Sequence, residues 1–251
     1  MAKQRGIFKV EGTLDDVTFY KSKDGYLVRQ KGGISAERMA NDPAFERTRE
    51  NQKEFATAGR AGKILRSALR PVLMNSTDRL LVSRLFKEMM KVVKADSTST
   101  RGQRNVLDGE LELLQGFEFN DGGKLAQTLF APYTTSIDRA SGLASVAIPA
   151  FVPQQMITAP TEATHYQIVS AGGFIDFTTE TSGISNDATA ILPLGSDPSA
   201  VVNHSFNAGA NTTNPLFLLL GISFFQEVNG KNYSLKNGAY NSLSIVKVDG
   251  V

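Results

Sequence analysis

The sequence predicts an α+β protein: an N-terminal β-hairpin arm, a central helical region, and a C-terminal antiparallel β-sandwich that is immunoglobulin-like in the loose sense. Three observations predict it. Residues 6–33 hold short apolar runs around Asp24-Gly25, a strong hairpin signal because glycine takes the positive φ such a turn needs. Residues 34–119 carry helix caps and apolar stripes at a 3.6-residue period. From residue 120 the period changes to two, and Gly, Pro, Asn, Asp and Ser clusters separate the apolar runs. The expected segments are therefore 1–33, 34–119 and 120–251.

In the arm, Ile7, Phe8 and Val10 form one run, residues 17–20 a second and 26–29 a third. Two or three strands do not make a stable sheet alone, so this piece needs another surface to cover it. Gly32-Gly33 then supplies a joint.

Asn41 or Asp42 caps the next helix, with Pro43 at a favoured first position. Phe45, Thr48, Gln52, Phe55 and Gly59 share one face, and Glu46, Glu50 and Glu54 stack at i,i+4 on another. Beyond Gly59 the apolar face moves to Ile64, Leu65, Ala68, Leu69 and Val72, with Arg60, Lys63, Arg66 and Arg70 opposite. Either one helix meets partners on two sides, or it bends at Gly59–Gly62, before Pro71 closes it. Ser76, Thr77 or Asp78 caps a second amphipathic helix to about residue 95. Its apolar face is Leu81, Val82, Leu85, Phe86, Met89, Val92 and Val93, and its basic face is Arg84, Lys87, Lys91 and Lys94. A third helix is expected over 101–115, on Val106, Leu107, Leu111 and Leu114.

In the last segment the runs SVAIPAF, HYQIVSA, FIDFTT, AILPL, NPLFLLLGISFFQEV, NYSL and NSLSIVKV are candidate strands. Asn229-Gly230 and Asn237-Gly238 are candidate hairpin turns.

Charge is uneven. The chain carries 27 Lys+Arg and 25 Asp+Glu, a net +2. Residues 1–119 hold 22 and 16 of these, a net +6, whereas 120–251 hold 5 and 9, a net −4. Such asymmetry suggests a polyanion partner, or attraction between unlike parts of neighbouring copies. There is no cysteine, which excludes disulfides and thiolate metal sites. The opening MAKQRGIFKVEG lacks the apolar core of a secretion signal, and the longest apolar run, 216–225, is shorter than the roughly 20 residues of a membrane span. A cytoplasmic chain without membrane insertion is expected.

Catalytic patterns are sparse. His165 and His204 have no spaced metal-ligating partner. The run GRAGK departs from a phosphate-binding loop, with Thr57 where glycine belongs and Ile64 where Ser or Thr belongs. No G-x-S-x-G occurs, and two histidines give a Ser-His-Asp arrangement little material. The acidic pairs Asp15/Asp16 and Glu110/Glu112 fall in a turn and on opposite sides of an expected helix. The sequons at Asn75, Asn203, Asn211 and Asn232 have meaning only for a secreted chain.

The segments KSKDGYLVRQKGG, NDPAFERTRENQKEFATAGRAGK, FKEMMKVVKAD, GELELLQGFEFN and QEVNGKNYSLKNGAYNSLSIVKVDGV together resemble an uncharacterised family common in Bacteroidota genomes, across nearly the whole chain. The resemblance implies a bacterial protein and transfers no catalytic residue. The layout of a short β-hairpin before a charged helix is also similar to small structural proteins of phage-derived particles.

These features favour a non-enzymatic structural protein that self-assembles as a homo-oligomer (filament, tube, ring or shell), with no cofactor and no small-molecule substrate. Its expected interface is Ile7, Phe8, Val10, Phe19, Tyr20 and Tyr26 of the arm, with the acidic stripe Glu46, Glu50 and Glu54. The alternative is a nucleic-acid-associated protein using Arg60, Lys63, Arg66, Arg70, Arg84, Lys87, Lys91 and Lys94. A third reading, a sugar- or peptide-binding β-sandwich, calls for exposed loop aromatics, whereas Tyr133, Tyr166 and Tyr240 fall in strand-like contexts.

Overall fold

The computed structural model describes residues 2–30 and 32–250. The fold is α+β, with a sheet-rich C-terminal region. The chain divides into two compact units, residues 1–49 and 50–251; the sequence pattern divides it at 33/34 and 119/120.

The first unit opens with four short antiparallel strands: β1 (Ala2–Lys3), β2 (Gly12–Leu14), β3 (Val17–Ser22) and β4 (Gly25–Gln30), in the order β1-β4-β3-β2. The β3–β4 turn is Lys23-Asp24, closed by the Ser22–Gly25 pair, and Gly25 takes φ +101 as the turn requires. Asp15-Asp16 forms the tip of the β2–β3 hairpin, with Asp15 at φ +50. Ser35 then caps α1 (Ala36–Asn41) by accepting from the Arg38 amide at 3.1 Å. Asp42 caps the 3-10 turn Pro43–Phe45 by accepting from the Ala44 amide at 2.9 Å.

Helix α2 (Glu46–Ala68) is uninterrupted; it neither breaks nor ends at Gly59 or Gly62. Its buried positions are Glu54, Ala58, Ala61, Gly62, Ile64 and Leu65, so the stripe Phe45–Gly59 expected to be covered is not the buried one. Phe55 remains 52% exposed and stacks on Phe86, ring centroids 5.5 Å apart. Leu69 leaves helical geometry (φ −89, ψ 3), and α3 (Arg70–Leu73) restarts with Pro71 in its first turn. Helix α4 (Leu81–Ala95) follows, its entry held by Asp78, which accepts from the Leu80 amide at 2.6 Å.

The expected third helix does not form. Residues 96–110 are a loop and only Leu111–Leu114 makes a 3-10 turn. The cause is local. Asp96 and Asn105 bond loop amides with their side chains, and Gly102 takes φ +83. Gly109 lies so close to α4 that a Cβ there would meet the Val92 carbonyl oxygen at 2.3 Å.

After the single-turn α5 (Leu125–Thr128) come β5 (Thr134–Asp138), β6 (Leu143–Ile148), α6 (Pro153–Met156), β7 (His165–Asp176), β8 (Thr181–Ala188), β9 (Leu192–Pro193), β10 (Val202–Asn207), β11 (Leu216–Val228), β12 (Lys231–Ser234) and β13 (Ser242–Asp249). The large sheet centres on β11 and β7. Beyond β11 lie β12 and β13, and beyond β7 lie β8 and β9, all antiparallel. A smaller sheet has the order β10-β6-β5.

Two cores flank the large sheet. On one face Phe217, Leu219, Leu243, Ile245, Ala171 and Ile175 meet Leu65, Leu69, Leu85, Met89 and Val93 of the helical layer. On the other Leu218, Leu220, Ile222, Phe224, Tyr166 and Ile168 meet Val146, Ile148, Val202 and Phe206 of the small sheet. The two sheets form a sandwich and the helices add a third layer. Covering on both faces is why LFLLLGIS reads as a continuous apolar run rather than an alternating one.

Asn229 and Gly230 both take positive φ in a tight β11–β12 turn, as expected. Asn237-Gly238 does not form a hairpin. β12 and β13 pair with successive stretches of β11, not with each other, and the link between them holds Lys236 and Asn237 at φ 44 and 52.

Candidate assembly surfaces

Within the first unit, Leu27, 8% exposed, is the one buried apolar side chain among the described residues. Both hydrophobic cores consist of residues from 58 onward. The Phe19–Val28 pair lies on one face of its sheet and the Tyr20–Leu27 pair on the other, with Phe19, Tyr20 and Tyr26 half-buried. Before β2 the chain forms a closed loop. The Gln4 amide donates to the Val10 carbonyl at 3.1 Å and accepts from the Val10 amide at 3.0 Å. The Lys9 ammonium donates to the Gln4 and Gly6 carbonyls at 2.7 and 2.8 Å. This bonding serves the loop backbone internally and leaves Ile7 97% and Phe8 88% exposed at the tip, with Val10 at 51%. Strands β1 and β2 are the sheet edges, each with one unpaired side.

The acidic stripe is split by the fold. Glu46 is exposed. Glu50 is half-buried with Arg101 at 3.5 Å. Glu54, expected on an outer face, is 3% exposed; it accepts from the Gly102 amide at 2.9 Å and faces Arg104 Nε at 4.0 Å. Loop 96–110 therefore covers the C-terminal half of the stripe.

The basic faces divide similarly. Arg84 is turned inward: its guanidinium donates to the Glu118 and Phe119 carbonyls at 2.6 and 3.2 Å, pairs with Asp78, and lies 5.4 Å from the Phe117 ring centroid. For Asp78, burial pushes the carboxyl up, but the Asp121 amide, Arg84 and the Leu80 amide outweigh it and hold the pKa below the usual carboxylate value. Arg60 pairs with Glu180 at 2.6 Å and Lys91 with Glu88 at 2.6 Å. Lys63, Arg66, Arg70, Lys87 and Lys94 make no ion pair among the described residues. Arg66 and Arg70 line a cleft of about 420 Å³ with Leu73, Met74, Asp78 and Val82. Met74 is 74% exposed and Val82 56%. In the sequence Val82 belongs to the apolar face of α4; the cleft is where that face runs past the edge of the core.

The polar residues of the sheets are bound within the fold. Ser170 Oγ is hydrogen-bonded to His204 Nδ1, and His204 Nε2 lies 3.9 Å from Asp187 Oδ2. This is a Ser-His-Asp constellation that the sequence spacing did not reveal. Ser170 is fully buried and His204 is 7% exposed between the two sheets, so a substrate carbonyl has no approach to the hydroxyl. His165 bonds Thr164 at 2.9 Å and faces Glu227 at 3.3 Å. GRAGK lies inside α2. Glu112 accepts from the Gly250 amide at 2.8 Å. Tyr166 is buried, whereas Tyr240, in a loop, lines a polar cleft of about 430 Å³ with Lys124, Glu162 and Lys236. Lys236 is held there by Glu162 at 3.2 Å and lies 5.3 Å from the Tyr240 ring centroid. No group of three or more His, Asp or Glu able to hold a metal occurs among the described residues. No helix among them is long and apolar enough to cross a membrane.

No protein-family model, curated protein or solved structure matches the chain.

Proposed function

We propose that the chain is a non-enzymatic structural protein that assembles with copies of itself, its N-terminal unit being the docking element. One observation carries this reading: the first unit has no core of its own, and it presents Ile7, Phe8, Val10 and Leu14 to solvent at 97, 88, 51 and 73% exposure. Burying a large apolar side chain contributes roughly 1.5–3 kcal/mol. A small sheet that leaves four of them out gains that energy only on another surface. The order of the loop supports the reading further, because Gln4 and Lys9 hold the tip in one conformation before any partner arrives.

The test compares the full chain with a chain lacking residues 1–33, both nuclease-treated, by negative-stain electron microscopy and light scattering. The full chain is expected to form regular assemblies. The truncated chain is expected to be monomeric and to keep its cooperative melt, because both cores lie beyond the deletion. Assembly by the truncated chain, or a monodisperse full-length monomer, overturns the proposal. The nucleic-acid reading is weaker because Arg84 is consumed within the fold and two further cations are paired. It requires affinity for DNA or RNA that falls steeply with salt.

A further inference from the structure

We propose that the tip of the β2–β3 hairpin of one copy seats in the Arg66–Arg70 cleft of the next copy. The proposal rests on the self-assembly reading and assigns it a contact. The hairpin tip carries Asp15 and Asp16 beside Leu14 at 73% exposure, and Glu11 stands just before β2 at the other end of that strand; all three acids are exposed and without an ion pair among the described residues. The tip is a projecting apolar side chain flanked by free carboxylates. The cleft is its complement. Arg66 and Arg70 line it with no ion pair, beside exposed Met74 and Val82, and Leu80 nearby is 57% exposed. The cleft's own acid, Asp78, does not neutralise the two arginines. It is occupied by Arg84 and by the Leu80 and Asp121 amides, the last at 2.9 Å.

The choice of occupant follows from charge. The other projecting apolar element, the Ile7-Phe8 tip, is flanked by Arg5 and Lys9, which the Arg66–Arg70 cleft repels. A contact between two different patches is heterologous, so each copy offers one free tip and one free cleft, and the chain of contacts extends or closes as a ring.

A charge swap in the full-length chain tests it. The pair R66E/R70E reverses the cleft, and E11K/D16K reverses the acidic charge of the hairpin, D16K at its tip and E11K at the far end of β2; Asp15 is left in place because its φ of +50 suits Asp better than Lys. Each pair is expected to raise the concentration for half-assembly by about tenfold or more, and the four changes together are expected to restore it. Thermal melts confirm that each variant folds. If R66E at its half-buried site lowers the melt, R70E alone takes its place in the swap. L14S gives an independent reading and is expected to weaken assembly without affecting the melt. Wild-type assembly unaltered by either pair, or a combined variant no better than the pairs, overturns the contact while leaving self-assembly standing. A wild-type chain that stays monomeric sinks both. Rescue that is independent of concentration places the contact within one chain and overturns the intermolecular assignment.

Discussion

Asp96 gives the most direct measure of what holds loop 96–110 in place of a helix. Its carboxylate is 1% exposed at the end of α4. Oδ1 accepts from the Thr98 and Ser99 amides at 2.9 Å each and from the Thr98 hydroxyl at 3.0 Å; Oδ2 accepts from the Asn105 amide at 3.1 Å. Burial pushes this carboxyl up, but the bonds from Ser99, Asn105 and Thr98 prevail and hold its pKa far below the ordinary aspartate value. In D96N the amide oxygen keeps the Oδ1 bonds, but the new NH2 group faces the Asn105 N–H, donor against donor. The loss is one charge-assisted bond with its amide left buried, about 2–3 kcal/mol at pH 7. For a chain of this size that lowers the melting temperature by about 5–10 °C. The sign with pH follows from a depressed pKa. The contribution is complete above the unfolded value of about 3.9 and is lost as pH falls through the folded value. Urea unfolding of wild type and D96N at pH 7, 5 and 3, extrapolated linearly, gives the comparison. The gap is expected to be full at pH 7 and to narrow toward pH 3. A gap that does not change with pH, or one under about 0.5 kcal/mol at pH 7, refutes the account.

Two other substitutions test the layers around the sheet. At Gly221 in β11 a Cβ would lie 2.3 Å from the Ser242 carbonyl oxygen. G221A is therefore expected to destabilise by about 3 kcal/mol and lower the melt by about 6–12 °C; a shift within 2 °C or so shows that β13 yields freely. Glu118 carries the opposite electrostatic sign to Asp96: burial raises its pKa past the opposing effect of the Leu125 and Ala126 amides, and its Oε2 has no hydrogen-bond partner. A raised carboxyl favours the fold most below its ordinary value and loses that contribution as pH rises through the folded value. E118Q is thus expected to match or exceed wild type at pH 7, by up to about 1 kcal/mol, with the advantage gone near pH 4. Paired melts at the two pH values check it, and an E118Q less stable at pH 7 than at pH 4 relative to wild type contradicts it.

The parts of the fold legible in the sequence are those where one physical signal dominates. The apolar run of β11, the stripe of α4 and the Asn229-Gly230 turn are all of this kind, whereas HYQIVSA and FIDFTT, expected as separate strands, run together through Gly172-Gly173 as the single strand β7. β8 was missed because TSGISNDA is an edge strand with six of its eight residues exposed, so no apolar alternation marks it. The third helix failed because side-chain bonds from Asp96 and Asn105 compete with a helical backbone, a contest that apolar spacing does not register. The candidate surface was half legible. Ile7, Phe8 and Val10, expected as a strand, instead lie in the loop between β1 and β2, outside either core. Glu54 and Arg84 do not, because whether a charged side chain faces water or a buried amide depends on loops far away in sequence.

A catalytic group must reach substrate with its proton or lone pair free to move. Among the described residues, several groups of that kind are bonded inside the fold. Ser170 and His204 are closed between two sheets, and Asp96 is saturated with loop amides. Arg139 donates to Asp249 and to the Thr212 and Asn214 carbonyls. What stands unpaired among the described residues includes an apolar tip, an acidic hairpin and the helix cations Lys53, Lys63, Arg66, Arg70, Lys87 and Lys94. Under the proposed self-assembly, such groups match a complementary surface. A net charge of only +2 puts little long-range repulsion between copies. Under the proposed self-assembly, local complementarity of these patches decides whether copies associate.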